Sequence, residues 1–409
     1  MSITEAKTIL TQFINSAPPA LIGPERINYF FENIKNLTPQ QKLVLKLLVD
    51  KLLTEMIERD ASDIELGGNG NEGYVWLRIY GKKQRIKELP QFTNDEAAVI
   101  ISNLLNANQL KMLSLTRNID FSYTFRYERK NINVRFRADT YYDLDTLALN
   151  MRAINTTIRT LNSLEFHPNA IKAMSNSYIK FGLSLVTGIT GSGKSTTLDA
   201  IIDSHNDVSP ALMVIIASPI EYVHKSRMAL IRHREVGRDV LSFKDGVVQA
   251  LRQDPDIIVI GEMRDPETIM AALEITDTGH KVFSTLHTSS AVESIDRIIA
   301  EMHPNEQDRV RNRLADVLIS VVSQKLVPSL DGKRLMAKEV LLVNPSVRAA
   351  IKNNNTSEIY MMINQGGASG MITLEQDLKR LYLARKISLD TAIAYANNKT
   401  RIQQILSAV

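Results

Sequence analysis

The sequence predicts an α/β protein in which a parallel sheet with crossover helices follows a smaller mixed domain. From Asn169 onward, short apolar strands alternate with helices, and that alternation is typical of parallel sheets. Candidate strands in this part lie at 183–187, 212–216, 257–260 and 282–285. Ahead of them, residues 74–80 alternate apolar and polar side chains between glycine-rich stretches, which predicts a strand bounded by turns.

Helices dominate the first 59 residues. Candidate helices cover 4–15, 24–35 and 39–59, with Pro18 and Pro19 breaking the chain between the first two. The third helix carries an apolar stripe at a spacing of three or four residues, which predicts a packed core face. That stripe consists of Leu45, Leu48, Leu52 and Met56. The mixed domain then adds a helix at 94–105 and two strands, at 119–127 and 132–141.

Four segments follow from these patterns. We expect a helical N-terminal extension at 1–45, a small α/β domain at 46–160, a larger α/β core at 165–344 and an all-helical region at 345–409. Residues 161–168 are the predicted linker between the small domain and the core.

Composition restricts the classes of function. The chain has no cysteine, which excludes disulfides and cysteine-based zinc sites. A net charge of +4 over 409 residues is too small to indicate a nucleic-acid partner, and none is expected. The N-terminus lacks the pattern of a signal peptide, and no apolar stretch approaches the ~20 residues of a membrane span. These features favour a cytoplasmic protein that could still dock on a membrane complex.

A complete phosphate-loop motif, G-x-x-x-x-G-K-S, runs from Gly188 to Ser195. Its glycines let backbone N–H groups turn onto phosphate oxygens, Lys194 would reach the β- and γ-phosphates, and the Ser195 hydroxyl would bind Mg²⁺. The motif follows a predicted strand and opens a predicted helix, so the phosphates would lie at a helix N-terminus. The predicted binding residues are Gly188, Thr190, Gly191, Ser192, Gly193, Lys194, Ser195 and Thr196.

The buried strand at 257–260 ends in Gly261 and Glu262. Because ligands bind at the carboxyl ends of parallel strands, Glu262 should lie beside the phosphate loop, where it could orient and polarise the attacking water. The aspartate usual on this strand is replaced by Gly261. Mg²⁺ would therefore rest on Ser195, phosphate oxygens and water, with Glu262 close by.

Two further polar clusters border this strand. Glu221 follows the preceding strand and could reach the site, and His287 follows the next strand, where it could sense the γ-phosphate. His280 precedes that same strand. A structural hydrogen-bonding role is the alternative for either histidine.

The stretch from Gly188 to Thr288 resembles the type II/type IV secretion ATPase superfamily, and within it the type IV pilus retraction ATPases. The matching motifs are the phosphate loop, the "Asp box" at 219–224, the sequence REVG at 234–237, the atypical Walker B motif at 261–265 and the "His box" at 278–288. In the small domain, the segments 134–137 and 151–154 fit the arginine-bearing strands of the family. The resemblance covers about residues 46–400.

This resemblance implies a RecA-like ATPase core behind a PAS-like domain, assembled as a homo-hexameric ring that uses ATP and Mg²⁺. Such a ring would sit at the cytoplasmic face of the inner membrane, held there by protein contacts, and would work on an inner-membrane pilus platform protein. A paralogous ATPase is a possible further partner. Arg135, Arg137 and Arg152 would complete the nucleotide site, since arginine presents a fixed fork suited to phosphate. For Arg135, a surface salt bridge is the alternative.

Three positions depart from the family pattern. Ala217 and Ser218 stand where the Asp box usually begins with two acids, and Asp145 stands at a family arginine. Assembly-type relatives usually carry a four-cysteine zinc module, which this cysteine-free chain cannot form, so we expect a retraction motor. The alternatives are a DotB-like type IV secretion ATPase and, because of the altered Asp box, a weakly hydrolysing regulatory partner of a retraction ATPase. A DNA translocase has no basic–aromatic patch in its favour.

Overall fold

The computed structural model describes residues 3–154 and 158–407. The chain forms two compact units. The first consists of Met1–Thr156 with the short segments Ser218–Tyr222 and Gly237–Asp239, and the second of the remaining residues. Each unit contains one sheet together with helices, which confirms the predicted α/β class.

The first unit is built on a six-stranded sheet in the order β3-β2-β1-β6-β5-β4, with every neighbouring pair antiparallel. Its strands are β1 (Ala61–Gly67), β2 (Trp76–Ile79), β3 (Lys82–Arg85), β4 (Asn118–Tyr127), β5 (Ile132–Asp143) and β6 (Thr146–Ala153). Its helices are α1 (Ile3–Asn15), α2 (Gly23–Asn33), α3 (Pro39–Glu58), α4 (Asn94–Leu104) and α5 (Ala107–Thr116). Side chains alternate along each strand, so Phe136 and Ala138 enter the core while Arg137 lies on the polar face.

The first two helices join this core. Leu10 of α1 and Phe30 of α2 are fully buried in the same apolar cluster as the sheet. Both helices also pair with carboxylates in the first turn of α4. Lys7 Nζ lies 2.7 Å from Glu96, and Arg26 Nε lies 2.8 Å from Asp95. The N-terminal segment is therefore an integral part of the first unit.

The second unit is built on a seven-stranded sheet in the order β13-β12-β7-β11-β10-β8-β9, parallel except for β13. Its strands are β7 (Gly182–Thr187), β8 (Leu212–Ala217), β9 (Leu230–Glu235), β10 (Ile257–Ile260), β11 (Lys281–Leu286), β12 (Leu318–Pro328) and β13 (Arg334–Leu342). The helices before and between these strands are α6 (Pro168–Met174), α7 (Lys194–Val208), α8 (Phe243–Ala250), α9 (Pro266–Asp277), α10 (Ala291–Ala300) and α11 (Pro304–Val317). Five more follow the sheet: α12 (Pro345–Lys352), α13 (Ile359–Gln365), α14 (Leu374–Leu383), α15 (Leu389–Tyr395) and α16 (Lys399–Ser407).

The segment expected to be a linker is instead packed into the second unit. Leu161, Leu164 and Phe166 are buried, and Lys338 Nζ donates a hydrogen bond to the carbonyl oxygen of Leu164 at 2.8 Å. The segment at 161–168 is too short for its apolar residues to show the period of a helix or a strand. Its sequence was therefore interpreted as a linker. Among the residues described, no helix is both long and apolar enough to cross a membrane.

Candidate nucleotide-binding site

The strand order of the second sheet decides which polar loops meet. β11 lies between β7 and β10, and all three strands are buried along their length. Leu286 pairs with Thr187 and Ser284 pairs with Ile260, so the three strands end at one edge of the sheet. Consequently the loop after β11 must lie between the phosphate loop, which follows β7, and the segment after β10.

The phosphate loop turns at glycines whose backbone conformation other residues rarely adopt. Gly188 has φ +150°, and a Cβ there would lie 2.4 Å from Ser192 Oγ and 2.5 Å from the carbonyl oxygen of Gln324. Gly193, with φ +90°, is the residue immediately before α7. These backbone angles favour glycine, and the crowding at Gly188 excludes even a methyl group.

The N-terminus of α7 is suited to phosphate. No side chain caps Gly193, whereas Asp265 accepts a hydrogen bond from the Thr268 amide to cap α9. The N–H groups of a helix's first turn have no acceptor inside the helix, and they attract anions. Lys194 opens the helix, and the exposed Ser195 and Thr196 follow it. The loop therefore offers a cation, orphan amides and hydroxyl groups in one place.

His287 bridges Lys194 and Glu262. Its Nδ1 lies 3.4 Å from Lys194 Nζ, and its Nε2 lies 3.1 Å from Glu262 Oε1. An ammonium group can only donate and a carboxylate can only accept, so Nδ1 accepts and Nε2–H donates in a neutral ring. Burial lowers the pKa of His287, and the nearby charge of Lys194 lowers it further, although Glu262 acts in the opposite direction. Both arguments give a neutral imidazole at neutral pH.

Glu262 has a second partner that sequence reasoning missed. Its side chain is 17% exposed, and Arg264 Nε lies 2.7 Å from Oε2. The amide of Met263 donates to the carbonyl oxygen of Thr285, so the chain stays extended beyond β10 and alternate residues share a side. Arg264 was assigned no role from the sequence. The two-residue spacing of Glu262 and Arg264 after a strand was the available signal.

His280 has a structural role. Its Nδ1 lies 2.9 Å from Thr278 Oγ1 and 3.1 Å from the carbonyl oxygen of Ile275, at the end of β11 remote from the phosphate loop. Of the two histidines in the His box, only His287 contacts Lys194 and Glu262.

The other predicted site residues lie in the first unit. Arg137 and Arg152 are direct cross-strand partners on β5 and β6. Arg137 Nη2 lies 3.3 Å from Asp120, and Arg152 Nη2 lies 2.7 Å from the buried Asp63. Their proposed contact with nucleotide stays a prediction.

Glu221 and Arg135 also contact partners within the first unit. Glu221 Oε1 lies 4.0 Å from Arg137 Nη1. Arg135 Nη2 donates to the carbonyl oxygen of Ile220 at 2.7 Å.

No group of three or more histidine or carboxylate side chains is arranged to hold a metal ion within residues 3–154 and 158–407. The predicted Mg²⁺ contact is a single hydroxyl, that of Ser195, which is exposed in the first turn of α7. A hydroxyl together with phosphate oxygens and water is a donor set that Mg²⁺ accepts.

Two solved structures share the fold of this chain. The pilus retraction motor PilT, crystallised with ADP, is 34% identical and superposes with a TM-score of 0.75, over 87% of this chain and 98% of that one. The ATPase DotB of Legionella pneumophila is 27% identical with a TM-score of 0.74, over 88% of this chain and 96% of that one.

Comparison of the sequence with known proteins finds the same relationship as the structures. The type IV pilus retraction ATPase PilT of Pseudomonas aeruginosa is 36% identical over 344 residues, which cover 84% of this chain and 96% of the relative. The model of the type II/IV secretion system protein family matches residues 38–405. With its phosphate loop, Walker B glutamate and His-box histidine assembled at one sheet edge, the chain belongs to the type II/IV secretion system protein family.

Proposed function

We propose that this chain is an ATP-hydrolysing motor that powers retraction of type IV pili. The observation that carries the proposal is the continuous line from Lys194 through His287 to Glu262, beside a phosphate loop whose helix has no side-chain cap. A cation for phosphate and a carboxylate for water are thereby held at opposite ends of one imidazole. The chain is accordingly an ATPase.

Each residue of this line has a distinct task. Lys194 and the first amides of α7 bind the phosphates of ATP, while Glu262 accepts a proton from the attacking water. The neutral His287 donates a hydrogen bond to the carboxylate of Glu262 from one ring nitrogen and accepts one from Lys194 at the other. Arg264 fixes the second oxygen of Glu262. When bound, Mg²⁺ neutralises charge on the phosphate oxygens, and the Ser195 hydroxyl would hold it.

The finer architecture belongs to the same proposal. The RecA-like core at 165–344 lies mainly in the second unit and is followed by the helical region at 345–409. The PAS-like domain at 46–160 lies mainly in the first unit, and the extension at 1–45 packs its helices into the same unit. Arg137 and Arg152 engage the nucleotide, and Glu221 supports them as the remaining acid of the Asp box. Arginines supplied to a phosphoryl-transfer site are worth roughly 10³–10⁵ in rate.

We also propose the assembly and its partners. Six copies form a ring at the cytoplasmic face of the inner membrane, attached through protein contacts to a pilus platform protein. A paralogous ATPase is a further candidate partner. No nucleic-acid partner is proposed, given the net charge of +4.

A type IV secretion ATPase is the second candidate. The superposition on DotB is as good as that on PilT, with TM-scores of 0.74 and 0.75. The higher sequence identity to PilT, 34% against 27%, favours pilus retraction.

Deletion of the gene in its host distinguishes pilus retraction from type IV secretion. Loss of a retraction motor should leave pili on the cell surface and abolish surface motility, and wild-type protein should restore motility while Lys194→Ala should not. Unchanged piliation and motility, combined with loss of protein secretion, would instead support the DotB-like function.

A further inference from the structure

Gln324 of β12 lies behind the phosphate loop. β12 runs parallel to β7, and the last register pair joins Ser323 to Thr187. The residue after Ser323 is Gln324, still within β12, and the residue after Thr187 is Gly188, the first glycine of the loop. The side chain of Gln324 is buried, with the residue only 2% exposed.

Both ends of the Gln324 amide are used. Nε2 donates to the carbonyl oxygen of Ser192 at 2.8 Å, and Oε1 accepts from the Thr197 hydroxyl at 2.9 Å. A carbonyl oxygen can only accept, so the orientation of the amide is fixed by Ser192. One side chain thus ties the middle of the loop to the first turn of α7.

Gln324 also occupies the space left by two glycines. The main-chain carbonyl oxygen of Gln324 lies 2.5 Å from where a Cβ on Gly188 would be. The side-chain Nε2 of Gln324 lies 3.2 Å from where a Cβ on Gly193 would be. The loop can approach β12 this closely only because both positions are glycine.

This contact has a consequence for phosphate binding. Loop amides face a phosphate only while the neighbouring carbonyl groups face away from it. The Ser192 carbonyl faces Gln324, and because Ser192 is buried, that oxygen needs a hydrogen-bond donor there. Gln324 provides this donor from β12.

We propose that Gln324 is a positioning residue, whose side-chain amide holds the phosphate loop in the form that binds nucleotide. The inference rests on the proposed ATPase function. Gln324 acts through Ser192, so its effect is the same for bound substrate and for the transition state. Loss of such uniform binding raises KM and leaves kcat nearly unchanged.

Two substitutions test this role. Gln324→Glu keeps the shape and still accepts from Thr197, but an ionised carboxylate cannot donate to Ser192; Gln324→Met removes both hydrogen bonds at similar volume. For each variant we expect the Kd of ADP, from calorimetry, and the KM of ATP to rise about tenfold, with kcat within about threefold.

Ser320→Ala is the matched control. It removes the hydrogen bond from Ser320 Oγ to Ser184 Oγ, 3.0 Å long, between the same two strands but away from the loop. Melting temperatures without nucleotide should fall for Ser320→Ala and Gln324→Met alike, whereas ADP binding should weaken only for the Gln324 variants.

Three results would overturn the proposal: an unchanged ADP Kd in both Gln324 variants, an equal weakening in Ser320→Ala, or a large fall in kcat at constant KM. A wild-type protein that binds ADP but does not hydrolyse ATP would refute the proposed function, and the calorimetric comparison would still decide the role of Gln324. Absence of ADP binding by wild type would refute both.

Discussion

At the scale of single residues, both ring nitrogens of His287 are engaged, and this sets its protonation state. The imidazole accepts from Lys194 and donates to Glu262. Protonation would remove the acceptor and place a cation against an ammonium group. The contacts and the lowered pKa of His287 therefore favour the same neutral form.

The first prediction concerns pH. With its pKa below the usual 6.5, His287 stays neutral above that pH and takes up its proton only on further acidification. Replacing it by a non-titrating amide, His287→Gln, should remove this step. The ratio of wild-type to variant ATP turnover should stay flat from about pH 6.5 to about pH 8 and fall below about pH 6.5.

Taking the ratio cancels the titration of ATP itself. A ratio that declines already between about pH 8 and about pH 7 would mean that the pKa of His287 is raised, contrary to its surroundings.

Short sequence motifs were enough to predict part of the site. Gly188, Lys194 and Glu262 are specified by local patterns, namely a glycine-rich turn and a carboxylate at a strand end. Gln324 is not, because it is 132 residues from Ser192 and reaches the loop only through the pairing of β12 with β7. No spacing rule within one sequence predicts that pairing.

At the scale of elements, burial pattern decides which strands could be predicted. β10 was predicted with its observed bounds because four consecutive apolar residues, three of them isoleucine, leave no helical alternative. β12 was missed although it lies inside the sheet, since it buries Ser320, Ser323 and Gln324 among its apolar residues. Polar side chains on a central strand obscure the apolar run, and here one of them, Gln324, donates a hydrogen bond to the phosphate loop.

β13 carries a buried carboxylate that leads to the second prediction. Glu339 is 3% exposed and accepts a hydrogen bond from the Ala291 amide, at the start of α10, at 2.8 Å. Burial raises the pKa of Glu339 to about 7, helped by the nearby Glu375. Because the folded state holds this proton more tightly than the unfolded state, stability should fall as pH rises from about 4.5 to about 7.

Glu339→Gln should remove this dependence. The amide still accepts from Ala291, so the variant should match wild type at about pH 4 and exceed it above about pH 7, by up to roughly 3 kcal/mol, since each pKa unit corresponds to about 1.4 kcal/mol. Urea unfolding at both pH values measures the difference, and the exposed Glu306→Gln is the control. Lower stability than wild type at high pH would show that the ionised form of Glu339 is stabilising.

At the scale of the whole molecule, the third prediction concerns the proposed ring. Subunits carrying Lys194→Ala are mixed with subunits carrying both Arg137→Ala and Arg152→Ala. If the arginines act across subunits, some junctions in mixed rings pair an intact phosphate loop with intact arginines, and part of the ATP turnover returns.

Each variant alone should be inactive, and mixing two differently tagged Lys194→Ala preparations is the control for exchange. No recovery in rings confirmed to be mixed would place the arginines within a single chain. A stable monomer with full turnover would contradict the ring itself.

The central claim is that Glu262 activates water beside phosphates held by Lys194, and Glu262→Gln tests it most directly. The amide keeps the shape and can still accept from His287, but it cannot take a proton from water. ATP affinity should stay within about threefold of wild type while kcat falls roughly 10²–10⁴-fold, the usual contribution of a general base. Weakened ATP binding with unchanged turnover at saturation would contradict it.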